Sequence, residues 1–303
     1  MPSSVRSLSA LALLTLLVAP ALAAQAAPAP GAKAAPTAPA PVLRAPLFPR
    51  DDPRVQVVSL AGSLPKARNV AILLPRDYAT SGRRYPVLYL LHGMGGAYDN
   101  WLTRTNLLEY TADLPLIVVM PDAGDSWYGN SVTDTMQKFQ KYIAEDVVNY
   151  VDSNYRTLPF AQGRFIAGLS MGGYGSVMLA TKYPNRYALA ASFSGAVGMV
   201  GKTNDSPSVN AAFGPPGAPS RDSSDLPALL RRVDPKGLPY YYLDCGTGDR
   251  LVQGNRDVIG ILAERGLPYE YHETRGVHDW EYWNRRIPVV LQLVAERMRM
   301  LGR

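Results

Sequence analysis

The sequence predicts an α/β protein with a mostly parallel central sheet flanked by helices. Apolar segments of strand length alternate with longer segments of helical periodicity, and this alternation is typical of parallel strands joined through helices. Several of the strand-like segments are apolar without interruption, as expected for strands buried on both faces of a sheet. One of them runs through a glycine-rich turn at 168–175 straight into a helix-like segment.

The predicted elements fill residues 55–303, a length that suits one catalytic domain built round a single sheet. The first two strands are expected to form an antiparallel pair, and the last strand has the more polar sequence of a sheet edge. The predicted strands are 55–60, 69–74, 86–92, 116–121, 165–169, 188–194, 240–243 and 269–273. The predicted helices are 100–111, 136–154, 174–182, 252–265 and 287–300.

Ser170 lies at the centre of the glycine-rich turn. The sequence Gly-Leu-Ser-Met-Gly at 168–172 has glycines two residues either side of the serine, so that a strand and a helix can approach closely while the hydroxyl is pushed outward. The motif alone is weak, but the strand before it and the helix after it support it. We therefore predict that Ser170 is a nucleophile and that the N–H of Met171 stabilises negative charge on a substrate oxygen.

A serine nucleophile needs a base and an orienting acid, and both are expected in loops that follow later strands, in the order acid and then histidine. Asp249 and His278 follow the last two predicted strands and are the candidates. Asp244 at a strand end, Asp257 within a helix and His272 within a strand are the alternatives. Asp249 has a structural interpretation as well, as the cap of the helix that begins near 252.

The loop after the third strand, His-Gly-Met-Gly-Gly at 92–96, is the expected source of a second oxyanion donor. The N–H of Met94 is our candidate, whereas His92 is expected to support the loop through a hydrogen bond. The alternative is a simple glycine-rich turn. The loop lacks the Gly-Lys-Ser/Thr ending of a phosphate-binding loop.

The first residues predict export. Arg6 precedes an apolar run at 8–18, and small residues offer cleavage sites after Ala23 or Ala26, so residues 1–26 are interpreted as a signal peptide. An uncleaved anchor is the alternative, but the run is shorter than the ~20 residues of a spanning helix. Residues 27–54 form an Ala/Pro-rich linker. The expected location is secreted, periplasmic or cell-envelope.

Composition argues against several classes of function. The single cysteine, Cys245, excludes an intramolecular disulfide and cysteine-rich zinc sites, and the three histidines lack metal-binding spacing. We therefore predict no metal and no cofactor. The net charge of +6, or +5 once Arg6 is removed with the signal peptide, is scattered without a long basic tract, so nucleic acid is not an expected partner.

Taken together, the motifs resemble those of the esterase D family of α/β-hydrolases over nearly all of residues 55–300. The resemblance implies the α/β-hydrolase fold, Ser170, Asp249 and His278 as the catalytic triad, and Met94 and Met171 as oxyanion donors. It also implies that Trp101, Trp127 and Tyr128 lie near the acyl or alcohol pocket, although core packing is the alternative role of these three residues. The matching segments are 92–96 with Trp101, Trp127-Tyr128, 167–175, 244–249 and 276–283.

The resemblance is strongest to the tributyrin, acetyl and feruloyl esterases. It implies an exported serine carboxylesterase that hydrolyses short-chain or aromatic acyl esters, either small molecules or polysaccharide-linked, through an acyl-enzyme intermediate. An acyltransferase of the mycolyltransferase type and a non-catalytic binding protein with the hydrolase fold are the alternatives. No membrane span is expected after signal cleavage, and the sequence leaves the oligomeric state open.

A long connection at 196–237, rich in Gly, Pro and Ser, separates two predicted strands. Such connections are commonly lids or pocket walls, so we predict a loop-rich lid with one short helix at 225–232. A solvated surface loop is the alternative.

Overall fold

A single eight-stranded sheet organises the described part of the chain. The computed structural model describes residues 52–201 and 203–301, so the predicted signal peptide and the predicted linker up to residue 51 lie outside it. The strands are β1 Val55–Leu60, β2 Arg68–Leu73, β3 Val87–Leu91, β4 Ile117–Pro121, β5 Arg164–Leu169, β6 Leu189–Phe193, β7 Tyr240–Gly246 and β8 Tyr269–Thr274. All eight predicted strands are confirmed.

The strand order is β1-β2-β4-β3-β5-β6-β7-β8. β1 pairs with β2 and β2 pairs with β4 in antiparallel fashion, and every other neighbouring pair is parallel. The carboxyl ends of β3, β5, β7 and β8 therefore meet at one edge of the sheet, which is where ligands bind in folds of this kind.

The apolar strands are explained by burial on both faces of the sheet. All five residues of β3 are buried. Val87, Tyr89 and Leu91 contribute to the core on one face, whereas Leu88 and Leu90 contribute to the core on the other. Successive strand residues point to opposite faces, so successive residues are apolar in a strand that is covered on both sides.

Helices cover both faces. They are α1 Asn100–Arg104, α2 Leu107–Tyr110, α3 Phe139–Lys141, α4 Val148–Asn154, α5 Met171–Lys182, α6 Pro207–Phe213, α7 Leu226–Arg232, α8 Val252–Glu264 and α9 Trp280–Leu301, with a π-helical segment Tyr142–Val147 joining α3 to α4. None of the described helices combines the length and the apolarity that a membrane crossing requires.

The prediction of one helix at 100–111 is wrong, because the chain breaks between α1 and α2. Thr105 has extended backbone angles, and its hydroxyl bonds to the carbonyl of Trp101, taking the place of a helical N–H. The next N–H, that of Asn106, donates to the side-chain oxygen of Asn284 at 2.8 Å. A contact across 178 residues of sequence therefore replaces local helix continuation.

The predicted start of the last helix, at 287, is also wrong. α9 begins at Trp280, where Asp279 accepts a hydrogen bond from the N–H of Tyr282 at 2.8 Å and so caps the first turn. Pro288 lies inside α9, although proline is typical of a first turn. This earlier start brings Trp280 and Trp283 into the helix.

The segment 196–237 is folded on a buried arginine. Arg221 is fully buried and donates to the carbonyl oxygens of Gly214 (2.9 Å), Gly201 (2.9 Å) and Asn204 (2.6 Å) and to the side-chain oxygen of Asn210 (2.5 Å). The segment contains α6, a 3-10 helix at Pro219–Ser223 and α7, so the predicted short helix is present. A solvated surface loop would not enclose a buried, hydrogen-bonded arginine. The function of the segment as a lid stays a prediction.

Candidate active site

Ser170 occupies the sharp turn between β5 and α5. Its backbone angles, φ 53° and ψ −116°, are strained for a residue with a side chain. A Cβ atom on Gly168 would overlap the carbonyl oxygen of Gly172, and one on Gly172 would lie 2.5 Å from the carbonyl oxygen of His92. Only glycine fits at these two positions, because strand, helix and the loop after β3 approach too closely for any side chain.

Ser170, Asp249 and His278 are in contact through one imidazole. Nε2 of His278 lies 2.9 Å from Oγ of Ser170, and Nδ1 lies 2.8 Å from Oδ2 of Asp249. The serine and the histidine are 108 residues apart in sequence, and they meet because β5, β7 and β8 end at the same edge of the sheet. The carboxyl of Asp249 is 0% exposed and the imidazole 20%, so solvent reaches the ring but not the carboxylate.

Asp249 is held as a carboxylate. Burial raises the pKa of Asp249, but hydrogen bonds from His278 and from the N–H of Leu251 (2.9 Å) outweigh burial and keep that pKa below its ordinary value. An ionised Asp249 accepts the Nδ1 hydrogen of His278, so the lone pair of Nε2 faces Ser170. This is the tautomer that a general base requires.

The alternative acids and the alternative histidine lie away from this contact. Asp244 is buried and pairs with Nε of Arg286 at 2.5 Å. Asp257 is exposed on α8, and Nε2 of His272 pairs with Oε1 of Glu270 at 2.5 Å on β8.

The Asp244 pair fixes the segment that carries His278. The hydroxyl of Tyr282 donates to Asp244, and its ring packs against Gly276 so closely that a Cβ atom on Gly276 would overlap it. The segment that carries His278 is therefore held in place by contacts with β7 and with the first turn of α9.

His92 supports the loop that follows β3, as the sequence predicts. Its Nε2 accepts the N–H of Ala123 at 2.9 Å, and its Nδ1 donates to the carbonyl of Gly93 at 2.7 Å. The carbonyl of His92 accepts the hydroxyl of Tyr128 at 2.8 Å. Burial lowers the pKa of His92, so the ring is neutral in the folded protein.

We expect replacement of His92 by glutamine to flatten the pH dependence of stability. The folded-state pKa of His92 lies below its unfolded value of about 6.5, so the unfolded chain takes up a proton first as the pH falls. The stabilisation is therefore complete above about pH 6.5 and is lost below it. Calorimetry at pH 7 and pH 5 should show a smaller drop in Tm for His92→Gln than for the parent. An equal drop in His92→Gln and the parent contradicts the prediction.

Both predicted oxyanion donors are close to Ser170 in the fold. Met171 is the first residue of α5 and follows Ser170 directly. Met94 belongs to the loop 93–96 that lines the cleft at Ser170, with its side chain 53% exposed and Sδ 3.6 Å from Oγ of Ser208. The role of their N–H groups stays a prediction.

The three aromatic residues predicted near the pocket are buried. Nε1 of Trp101 donates to the carbonyl of Leu91 at 3.0 Å, and Nε1 of Trp127 donates to Oγ of Ser208 at 3.0 Å. Tyr128 bonds to the loop after β3, as described above. These contacts agree with the packing role that the sequence left open, and their part in substrate binding stays a prediction.

A cleft of about 300 Å³ opens beside Ser170, lined by the loop 93–96 and by four side chains that sequence reasoning missed. These are Arg104, Arg250, Trp280 and Trp283. Asp279, a residue type that commonly caps helices, was the feature of the sequence from which the two tryptophans could have been found. A cap at Asp279 starts α9 beside His278 and so places both tryptophans in the first turn of this helix. Arg250 directly follows Asp249, and Arg104 stands four residues after Asn100 on α1, which also lines the cleft.

Aromatic rings form one wall of the cleft. The ring of Trp283 stands perpendicular to that of His278, with centroids 5.0 Å apart, and Trp280 packs edge-on against Trp283 at 5.1 Å. Such a wall suits an apolar substrate group. Across the described residues, no group of three His, Cys, Asp or Glu side chains is arranged to hold a metal ion.

Comparison with known proteins agrees with this architecture. The model of the Esterase family matches residues 61–293. An esterase of Mycobacterium tuberculosis is 34% identical over 239 residues, covering 69% of this chain and 52% of that protein, so the chain spans about half the length of this relative. An acetyl esterase of Caldicellulosiruptor saccharolyticus is 30% identical over 212 residues, covering 66% of this chain and 79% of that protein.

A solved structure extends the comparison to the fold. The S-formylglutathione hydrolase of Staphylococcus aureus superposes with a TM-score of 0.71 at 25% identity, covering 80% of this chain and 98% of that one. The strand order, the turn at Ser170 and the family match agree. The chain therefore belongs to the Esterase family and has the α/β-hydrolase fold.

Proposed function

We propose that this protein is an exported serine carboxylesterase that hydrolyses short-chain or aromatic acyl esters through an acyl-enzyme intermediate. The observation that carries the proposal is the continuous contact from Oγ of Ser170 through His278 to Asp249. The esterase and acetyl esterase relatives support carboxylic ester hydrolysis as the reaction class. The signal-peptide pattern at 1–26 supports action outside the cytoplasm.

In the first half of the reaction, Oγ of Ser170 attacks the ester carbonyl carbon while Nε2 of His278 takes the hydroxyl proton. The carbonyl oxygen becomes an oxyanion, and the N–H groups of Met94 and Met171 are the proposed donors to it. Asp249 stabilises the imidazolium that has formed. His278 then returns the proton to the alcohol oxygen as the carbon–oxygen bond breaks, which leaves the acyl group on Ser170.

In the second half, water takes the place of the alcohol. His278 removes a proton from the water, the resulting oxygen nucleophile attacks the acyl carbon, and the proton passes to Oγ of Ser170 as the acid leaves. A cleft of about 300 Å³ with tryptophan on one wall suits a short or aromatic acyl group better than a long chain.

We expect diethyl 4-nitrophenyl phosphate to modify Ser170. The phosphorus centre is attacked by the activated hydroxyl, so one equivalent of 4-nitrophenol is released per chain and the diethylphosphoryl group stays on the serine. Mass spectrometry of the peptides should locate the adduct on Ser170, with loss of esterase activity in proportion to labelling. His278→Gln should slow labelling by at least a hundredfold, because the base is missing.

Ser223→Ala, at an exposed serine in the segment 196–237, is the matched control and should label like the parent. An adduct on a residue other than Ser170, or full labelling with undiminished activity, contradicts the proposed function.

A further inference from the structure

We infer that the cleft beside Ser170 selects esters that carry a negative charge, and that Arg104 and Arg250 bind this charge. The inference rests on the proposed function and adds the class of substrate to it. It comes from the charged side chains that line the cleft, which are Arg104 and Arg250, whereas the carboxylate of Asp249 lies buried behind His278.

The two arginines come from different segments of the chain. Arg104 closes α1, which follows the loop 93–96 after β3. Arg250 follows Asp249 in the loop after β7. Both line the same cleft as Ser170, which places two positively charged side chains beside an ester bound at the serine.

Both guanidinium groups lack a partner in the part of the chain that the structure describes. Within residues 52–201 and 203–301, the side chains of Arg104 and Arg250 make no hydrogen bond or ion pair, although both residues are exposed. Arg285 on α9 shows the contrast, since its Nη1 lies 2.6 Å from Oε1 of Glu281. The donors of the two cleft arginines are therefore open to a ligand.

No carboxylate in the described lining of the cleft neutralises this charge. The carboxyl of Asp249 is fully buried against His278. Asp125, beside the loop 93–96, accepts the N–H of Gly95 at 2.6 Å. Asp279 accepts the N–H of Tyr282 in the first turn of α9. A cleft whose described lining carries two guanidinium groups and no carboxylate, beside a wall of tryptophan, concentrates ligands of negative charge.

The guanidinium fork matches a planar carboxylate, with which it forms paired charge-assisted hydrogen bonds. The substrate class is therefore an ester with a carboxylate on its acyl or its alcohol part, such as a half-ester of a dicarboxylic acid or an ester of a hydroxybenzoate. A phosphate shares this chemistry, and the assay separates the two.

The experiment compares charged esters with neutral esters of the same shape. On the acyl side, 4-nitrophenyl hemiglutarate is paired with 4-nitrophenyl valerate. On the alcohol side, 4-acetoxybenzoate is paired with its methyl ester, and 4-acetoxyphenyl phosphate supplies the phosphate arm. The quantity measured is the ratio of kcat/KM for the charged ester to kcat/KM for its neutral partner.

We expect Arg104→Gln and Arg250→Gln each to lower this ratio by about three- to tenfold, the effect of one charge-assisted contact that is partly exposed to solvent. The lysine variants should retain part of the preference, because the charge remains while the fork is lost. Raising the salt concentration should lower the ratio of the parent enzyme. If the arginine variants lose activity toward the carboxylate esters alone, the ligand is a carboxylate. If they lose activity toward 4-acetoxyphenyl phosphate equally, the cleft is a general anion site.

Arg76→Gln is the control, because it removes the same charge at the opposite edge of the sheet. Arg76 follows β2, whose last residue pairs with the start of β4, and it is 3.3 Å from Asp113. A ratio that stays within twofold of the parent in both cleft variants, in a protein still labelled at Ser170, overturns the anionic substrate class alone. A protein that is not labelled at Ser170 overturns the proposed function instead.

Discussion

Replacing Ser170 by alanine is expected to lower kcat for 4-nitrophenyl acetate by a factor of about 10⁵ to 10⁶. The hydroxyl is the only atom deleted, and its neighbour Nε2 of His278 at 2.9 Å is left without a proton to accept. The acyl-enzyme can then no longer form, and only binding and the proposed oxyanion donors remain to assist attack by water. Steady-state kinetics, with the protein free of contaminating esterase, measure the loss.

Thermal stability provides the control for this variant. Alanine keeps the Cβ atom at the strained backbone angles of Ser170, so we expect the Tm to stay within about 2 °C of the parent, as for a substitution outside the core. Ser223→Ala should match the parent in both assays. Unchanged turnover in Ser170→Ala would support the alternative of a hydrolase fold without this chemistry. If Ser170→Ala loses activity because it is unfolded, the role of the hydroxyl is tested instead by the phosphorylation of Ser170 in the parent protein by diethyl 4-nitrophenyl phosphate.

Much of this architecture follows from local sequence. The central strands are predictable because they are covered on both faces and so have apolar sequences, as in β3, whereas the edge strands β1 and β8 are only partly buried and have more polar sequences. The turn at Ser170 is predictable because two glycines are required by close backbone approach. Asp249 and His278 follow from the rule that parallel strands end at one edge.

What sequence reasoning missed depends on contacts between distant segments. The break between α1 and α2 depends on Asn284, which accepts the N–H of Asn106. The start of α9 depends on a cap at Asp279 that competes with the proline signal at residue 288. The four cleft side chains that sequence reasoning missed lie at these two misassigned helix ends or directly follow Asp249, so the proposed substrate preference could not be predicted from the nucleophile motif.

Replacing Asp249 by asparagine is expected to lower kcat by a factor of about 10⁴, while the packing of the site is preserved. The carboxylate now accepts the Nδ1 hydrogen of His278 at 2.8 Å. An amide nitrogen in that place donates instead, so the imidazole carries its hydrogen on Nε2 and offers Ser170 no lone pair. The positive charge that forms on the imidazole during attack also loses its counter-charge.

The pH–rate profile separates this tautomer effect from a general loss of structure. The pKa of Asp249 lies below its ordinary value, so the carboxylate is ionised over the whole neutral range and its own titration does not shape the profile of the parent there. Asp249→Asn should therefore be deficient throughout the neutral pH range. Asp257→Asn, an exposed candidate of the same chemistry, is the matched control and should stay within twofold of the parent. If Asp249→Asn retained more than a tenth of the parental kcat, another carboxylate would have to orient His278. The buried Asp244 could take that place only by leaving Arg286, to which it is bound at 2.5 Å.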